Sequence, residues 1–80
     1  MSREEILSNV QVVFRNVLKD ESLVLTNETV ADDVEGWDSL THVQLISEIE
    51  KFFDIKFSLR EMLSWKTVGK MIDCIEKKVG

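Results

Sequence analysis

Apolar residues recur at helical spacing in three stretches of this chain. Over residues 3–18, Ile6, Val10, Val13, Phe14 and Val17 fall on one side of a helix. Ser2 and Glu5 form an S-x-x-E box that would start it. At ~1.5 Å per residue that helix is about 24 Å long. Over residues 39–53, a wheel at about 100° per residue puts Val43, Ile46, Ile49 and Phe53 on one side, which reads as core. Leu45 and Phe52 widen that side. Gln44, Glu48 and Lys51 lie opposite, flanked by Thr41 and Ser47, and Leu40 lands among these polar residues. In the third stretch Val68, Met71, Ile72, Ile75 and Val79 share a side, with Thr67 as the cap and the helix running to about Lys78. Lys77 and Lys78 suit the dipole at its C-terminal end. A second S-x-x-E box, Ser58 to Glu61, predicts a short helix over 59–63.

No segment alternates with period two over a useful length. "DIKFSL" does so briefly, but a single strand has no partner. The pattern predicts an all-α fold: a small four-helix bundle of three main helices and one short one. Residues 19–38 form a first connection far longer than the ~2–8 residues usual between bundled helices. Leu23, Val24, Leu25 and Val30 can pin that loop to the core, and "TNETVADDVEG" then follows, rich in turn formers and acid.

Composition narrows the function classes. Eighty residues suit one domain spanning 1–80, with a core too small for a deep catalytic pocket. Ten basic against fifteen acidic residues leave a net charge of −5. Such a surface repels nucleic acid and anionic membrane and favours basic protein partners. No apolar run is long enough to span a bilayer, so no stable membrane insertion is expected. The single Cys74, on an apolar stripe, and the absence of a signal-peptide core fit a reduced, cytoplasmic domain. Nothing in the chain demands an obligate dimer, and a monomer is expected.

The chemistry gathers where the loop becomes the second helix. Gly36 permits a tight turn, Asp38 is a good N-cap, and Ser39 sits in the first helical turn. Unpaired N–H groups and the dipole there would stabilise a phosphate ester on Ser39. Asp32, Asp33, Glu35 and Asp38 would repel a diffusible anion, so such a phosphodiester would have to be installed covalently by an enzyme. A plainer alternative makes Ser39 only a helix starter. His42 could approach Ser39 one turn on, but a nucleophilic triad also needs an orienter, an oxyanion hole and a pocket, so no catalytic residue is assigned. His42 falls towards the apolar side, where it would pack against the loop. "ADDVEGWD" fails the spacing of a calcium loop, and no Cys/His cluster suits zinc, so no metal is assigned.

Around Gly36-Trp37-Asp38-Ser39-Leu40 the chain resembles the acyl carrier proteins, the small helical carriers of fatty-acid, polyketide and related pathways. The likeness includes the D-S-L triplet, "TNETVADDVEGW" before it, the register of "SLTHVQLISEIEKFF" and the tail "FSLREMLSWKTVGKMIDCI". The resemblance implies a 4′-phosphopantetheine arm on Ser39, installed from coenzyme A by a phosphopantetheinyl transferase. It implies a thioester cargo on the arm's thiol and no enzymatic activity of the chain's own. Asp38 belongs to the motif as helix cap. Glu35, Asp38, Leu40, Val43, Glu48 and Glu50 are expected to contact partners, among them an acyl- or aminoacyl-activating ligase and downstream transferases or synthases. In such families the bundle can part slightly to shelter an acyl chain.

The chain departs from the carriers of bacterial fatty-acid synthesis. Thr41 and Gln44 stand where those usually have acid, and Lys51 occupies a third position that is often acidic. This partly neutralised stripe points to a stand-alone carrier outside housekeeping fatty-acid synthesis. A D-alanyl or other aminoacyl carrier is the nearest alternative. An unmodified helical interaction adaptor is the alternative of another class.

Overall fold

The computed structural model describes residues 2–79. Four helices follow in chain order: α1 Arg3–Leu18, α2 Ser39–Phe53, α3 Leu59–Leu63 and α4 Val68–Val79. Each start is written in side-chain chemistry. Ser2 Oγ accepts the Glu5 N–H (3.2 Å) while Glu5 accepts the Ser2 N–H (3.4 Å). Ser58 and Glu61 repeat the exchange at α3. Thr67 Oγ1 accepts from Lys70 N–H at the head of α4. The long helices α1 and α2 close on Lys19 and Asp54, both left-handed (φ 55° and 56°), with N–H groups returned to Arg15 and Glu50. The described residues contain no strand, and none of their helices is long and apolar enough to cross a membrane.

The core is built from the predicted stripes. Ile6, Val10 and Phe14 of α1, Leu45 and Ile49 of α2, and Val68, Met71, Ile72 and Ile75 of α4 are fully buried. Burying a side chain of this size stabilises the fold by about 1.5–3 kcal/mol. Two residues of the expected core side of α2 are instead at the surface: Val43 is 66% exposed and Phe52 is 52% exposed. A wheel orders side chains by angle, but packed neighbours decide how wide an arc is covered. Val43 and Phe52 overhang the edge and line a hollow of about 750 Å³ between α1 and α2, with Val12 and Val17 opposite.

The loop between α1 and α2 is tied down along its length. Arg15 Nε donates to Leu23 O (2.7 Å), and Gln11 Oε1 accepts the Leu25 N–H (2.9 Å). Leu25 is buried and Leu23 half-buried, but Val24 between them points out. Successive side chains of an extended segment face opposite ways, so all three could not anchor together. Val34 also enters the core, and a 3-10 turn at Ala31–Asp33 precedes it. Further contacts fasten the loop to α4: Val68 N–H donates to Thr29 O (2.8 Å) and Gly69 N–H to Asn27 O (2.9 Å). Lys78 Nζ lies 3.1 Å from Glu61, joining α4 to α3. The Ser58 N–H first, and Lys78 next, hold the Glu61 carboxyl below its ordinary range.

Candidate functional site: the opening of α2

Gly36 takes φ 88°, a left-handed turn that a side chain would strain, and this brings Asp38 to the N-cap of α2. One oxygen of Asp38 accepts the N–H groups of Leu40 and Thr41, each at 2.9 Å. Thr41 Oγ1 accepts the Asp38 N–H (2.8 Å) and donates to Gly36 O (2.7 Å). Thr41 thus stands in for the acid of a capping box, so its hydroxyl is structural. These bonds, the Thr41 N–H foremost and then the Leu40 N–H and the Thr41 hydroxyl, outweigh desolvation and hold the Asp38 carboxyl below its usual range.

Ser39 follows as the first residue of α2 and is exposed. Its hydroxyl has no hydrogen-bond partner among the described residues, because Asp38 has taken the capping role. His42 does not serve it as a base. Trp37 Nε1 donates to His42 Nδ1 at 3.0 Å, and the two rings lie nearly parallel, 5.9 Å apart. His42 is half-buried, and burial pushes its pKa below the ordinary histidine value. It packs against the loop through Trp37, in keeping with its place on the wheel.

The aromatic contact runs further than His42. Trp65, between α3 and α4, meets the imidazole edge-on at 6.1 Å and donates from Nε1 to Cys74 Sγ (3.1 Å). Behind these rings, Phe14 meets Trp37 and Phe57 meets Trp65, both edge-to-face at 4.8 Å. Trp37, His42 and Trp65 line a cleft of about 340 Å³ beside Ser39, together with Ala31, Asp38 and Lys66. No local sequence pattern announces this cluster. Its members come from the loop, α2 and the α3–α4 turn.

The other expected contact residues are spread over the surface near this end and along α2. Glu35 and Glu48 are exposed, Leu40 is 78% exposed, and Val43 is exposed as described. Lys51 Nζ lies 3.8 Å from Glu48, so part of that stripe's negative charge is offset within the helix itself. Glu50 differs from the rest: it is half-buried, and its carboxylate accepts the Phe57 N–H at 2.8 Å. It fastens the α2–α3 loop. Leu59 and Leu63, on α3, are exposed apolar residues that the reading of the sequence passed over. Their i, i+4 spacing on so short a helix was the available signal.

Residues 9–75 match the family described as "Phosphopantetheine attachment site". The chain belongs to the acyl carrier protein family. It is 39% identical over 80 residues to the acyl carrier protein of Thermotoga maritima, covering 99% of this chain and 98% of that one. Its fold is similar to the solution structure of a holo acyl carrier protein from Geobacter metallireducens, with a TM-score of 0.87 and 43% identity over 92% of this chain and 85% of that one. It is also 38% identical over 72 residues to a non-reducing polyketide synthase of Emericella nidulans, covering 89% of this chain but only 3% of the synthase.

Acyl carrier proteins carry a covalent 4′-phosphopantetheine group and are carriers, not enzymes. As a family they meet phosphopantetheinyl transferases and synthase enzymes. The opening of α2 fits such a group: it offers an exposed, unspent hydroxyl at a firmly capped helix start, and Lys66 lines the adjoining cleft.

Proposed function

We propose that this acyl carrier protein bears its arm on Ser39 and presents acyl units, as thioesters, to the enzymes of a dedicated biosynthetic pathway. One observation supports the attachment residue above the others: the Ser39 hydroxyl is exposed and spent on no hydrogen bond at a rigidly capped helix start. When bound, the arm supplies the thiol that forms the thioester. The chain's own residues hold the attachment point. Asp38 and Thr41 fix the first turn, Gly36 sets its approach, and Lys66 lines the same cleft as Ser39. A transferase draws the arm from coenzyme A, and an acyl- or aminoacyl-activating ligase loads it. Leu40 and Val43 give partners an apolar foothold, with Glu35, Asp38 and Glu48 supplying charge around it. Glu50 contributes to this face mainly by holding the α2–α3 loop. The offset stripe supports partners other than the housekeeping fatty-acid enzymes, acting in the cytoplasm on a single 1–80 carrier unit.

Co-expression with a broad-specificity phosphopantetheinyl transferase tests the attachment. The intact mass should rise by one phosphopantetheine in the wild type and stay unchanged in Ser39→Ala. No gain in the wild type would favour an unmodified helical adaptor instead.

A further inference from the structure

The cleft beside Ser39 is built from more aromatic surface than a helix cap needs. Trp37, His42 and Trp65 line it from the loop, α2 and the α3–α4 turn. The indole N–H groups are already committed, Trp37 to His42 Nδ1 and Trp65 to Cys74 Sγ, so the tryptophans offer the cleft only carbon faces and edges. The imidazole is different. Because Nδ1 accepts from Trp37, the neutral ring carries its proton on Nε2. That N–H has no acceptor among the described residues. Beside Asp38, Ser39 and Lys66, which also line it, the cleft therefore presents rings that can stack and an imidazole donor fixed in its tautomer.

Further rings pack against the two indoles. Phe14 stands behind Trp37 and Phe57 behind Trp65, and both phenylalanines are buried. A guest lying on the indoles meets a surface of interlocked rings. At about 340 Å³ the space is at the small end for ligand sites. An extended alkyl chain matches neither the flat ring surfaces nor the spare donor. A flat ring can lie against the indole and imidazole surfaces and take the Nε2–H on a carbonyl or hydroxyl oxygen.

We propose that this cleft is a docking site for the carrier's own cargo, and that the cargo it takes is a flat aromatic acyl group in preference to a long alkyl chain. The inference rests on Ser39 bearing the arm. Tethering makes a weak site sufficient, because a short flexible linker gives an effective concentration of about the millimolar order. A docked ring is shielded from water until a partner enzyme draws it out.

The test loads the apo chain with acetyl-, octanoyl- and benzoyl-phosphopantetheine from the matching coenzyme A thioesters, using a broad-specificity transferase. Intact mass confirms one addition in each case. No addition to Ser39 would overturn the attachment, and the docking with it. The chain's two tryptophans both line the cleft, so intrinsic fluorescence reports on this place alone. The benzoyl form should change tryptophan emission and raise Tm by about 2–10 °C over the acetyl form. The octanoyl form should match the acetyl form. His42→Gln, checked for its helical circular dichroism, should narrow the benzoyl–acetyl gap. Complete loading with equal Tm for all three cargoes, an octanoyl form at least as stabilised as the benzoyl form, or a gap untouched in His42→Gln would each overturn the proposal while leaving Ser39 as the attachment point.

Discussion

Gly69→Ala is a small substitution with a large expected effect. Gly69 is buried at the second position of α4, against the loop that leads to Ser39. An added Cβ would stand 2.7 Å from Asn27 O and 3.2 Å from Asn27 Cβ. Asn27 O is backbone, and it accepts the Gly69 N–H at 2.9 Å, so moving it away weakens the bond that holds loop to helix. Overpacking of this kind costs about 1–3 kcal/mol, and the weakened hydrogen bond adds up to ~1.5 kcal/mol. Better helix propensity returns at most ~1 kcal/mol, and less near a helix end. The net loss is about 1–3 kcal/mol, in a domain whose whole stability is of the order of several kcal/mol. For a chain of this size, Tm should fall by about 5–20 °C. Thermal melts followed by far-UV circular dichroism measure it, with Lys70→Ala on the exposed neighbouring position as control. A Gly69→Ala protein that melts at or above the wild-type temperature would show that helix propensity, rather than the close approach of the loop, governs this position.

Other consequences concern charge and the cap. Burial holds His42 below the ordinary value of 6.5, so between its folded and unfolded pKa the unfolded chain binds more protons. Stability present above pH ~6.5 should therefore be lost as pH falls towards the folded value, with Trp37 emission changing as Nδ1 stops accepting; melts between pH 7 and 5 should show this, and His42→Gln should remove most of it. The Gln44 side chain is exposed and makes no hydrogen bond among the described residues, so Gln44→Glu should raise transfer rates with basic fatty-acid synthase partners at low salt, and an unchanged rate would argue against the charge-stripe reading. Asp38→Asn keeps an oxygen for the Leu40 and Thr41 N–H groups whereas Asp38→Ala does not, so transferase modification of Ser39 should fall further in the alanine variant; equal losses would mean that charge, not the cap, is what the transferase reads.

The helices were legible because their start signals are local. Ser2, Asp38 and Ser58 each meet their partner within three residues, and the expected spans 3–18, 39–53 and 59–63 coincide with α1, α2 and α3. α4 runs one residue past the expected Lys78. What escaped depends on how the loops fold back onto the helices, which no helical period encodes. Thr41 reads as a missing acid on a docking face, yet its hydroxyl closes the cap on Gly36. Glu50 reads as a surface charge, yet a loop N–H seven residues on takes its carboxylate. Gly69 reads as a weak point in a helix, and only the folded loop explains why no side chain fits there. Trp65 is far from the local Trp37–His42 pair in the chain, and tertiary packing alone brings its ring to the imidazole.

The order Asp-Ser at residues 38 and 39 has a physical reason. Serine is itself a good N-cap, and a serine in that role gives its oxygen to the N–H groups of the first turn. A hydroxyl so used is turned inward along the helix axis and is a poor handle for a visiting enzyme. Placing aspartate one residue earlier assigns the capping to a carboxylate that hydrogen bonds hold in its ionised form, and leaves the next hydroxyl unspent. The helix start is then rigid because of one residue and offers a free hydroxyl at the next. The same division would let a strongly acidic approach coexist with the phosphodiester proposed for Ser39. The Asp38 charge is directed into two backbone N–H groups, and Lys66 lies on the cleft side of Ser39. An anion held by a covalent bond can sit there, whereas a free one would meet the field of Asp32, Asp33 and Glu35 before it arrived.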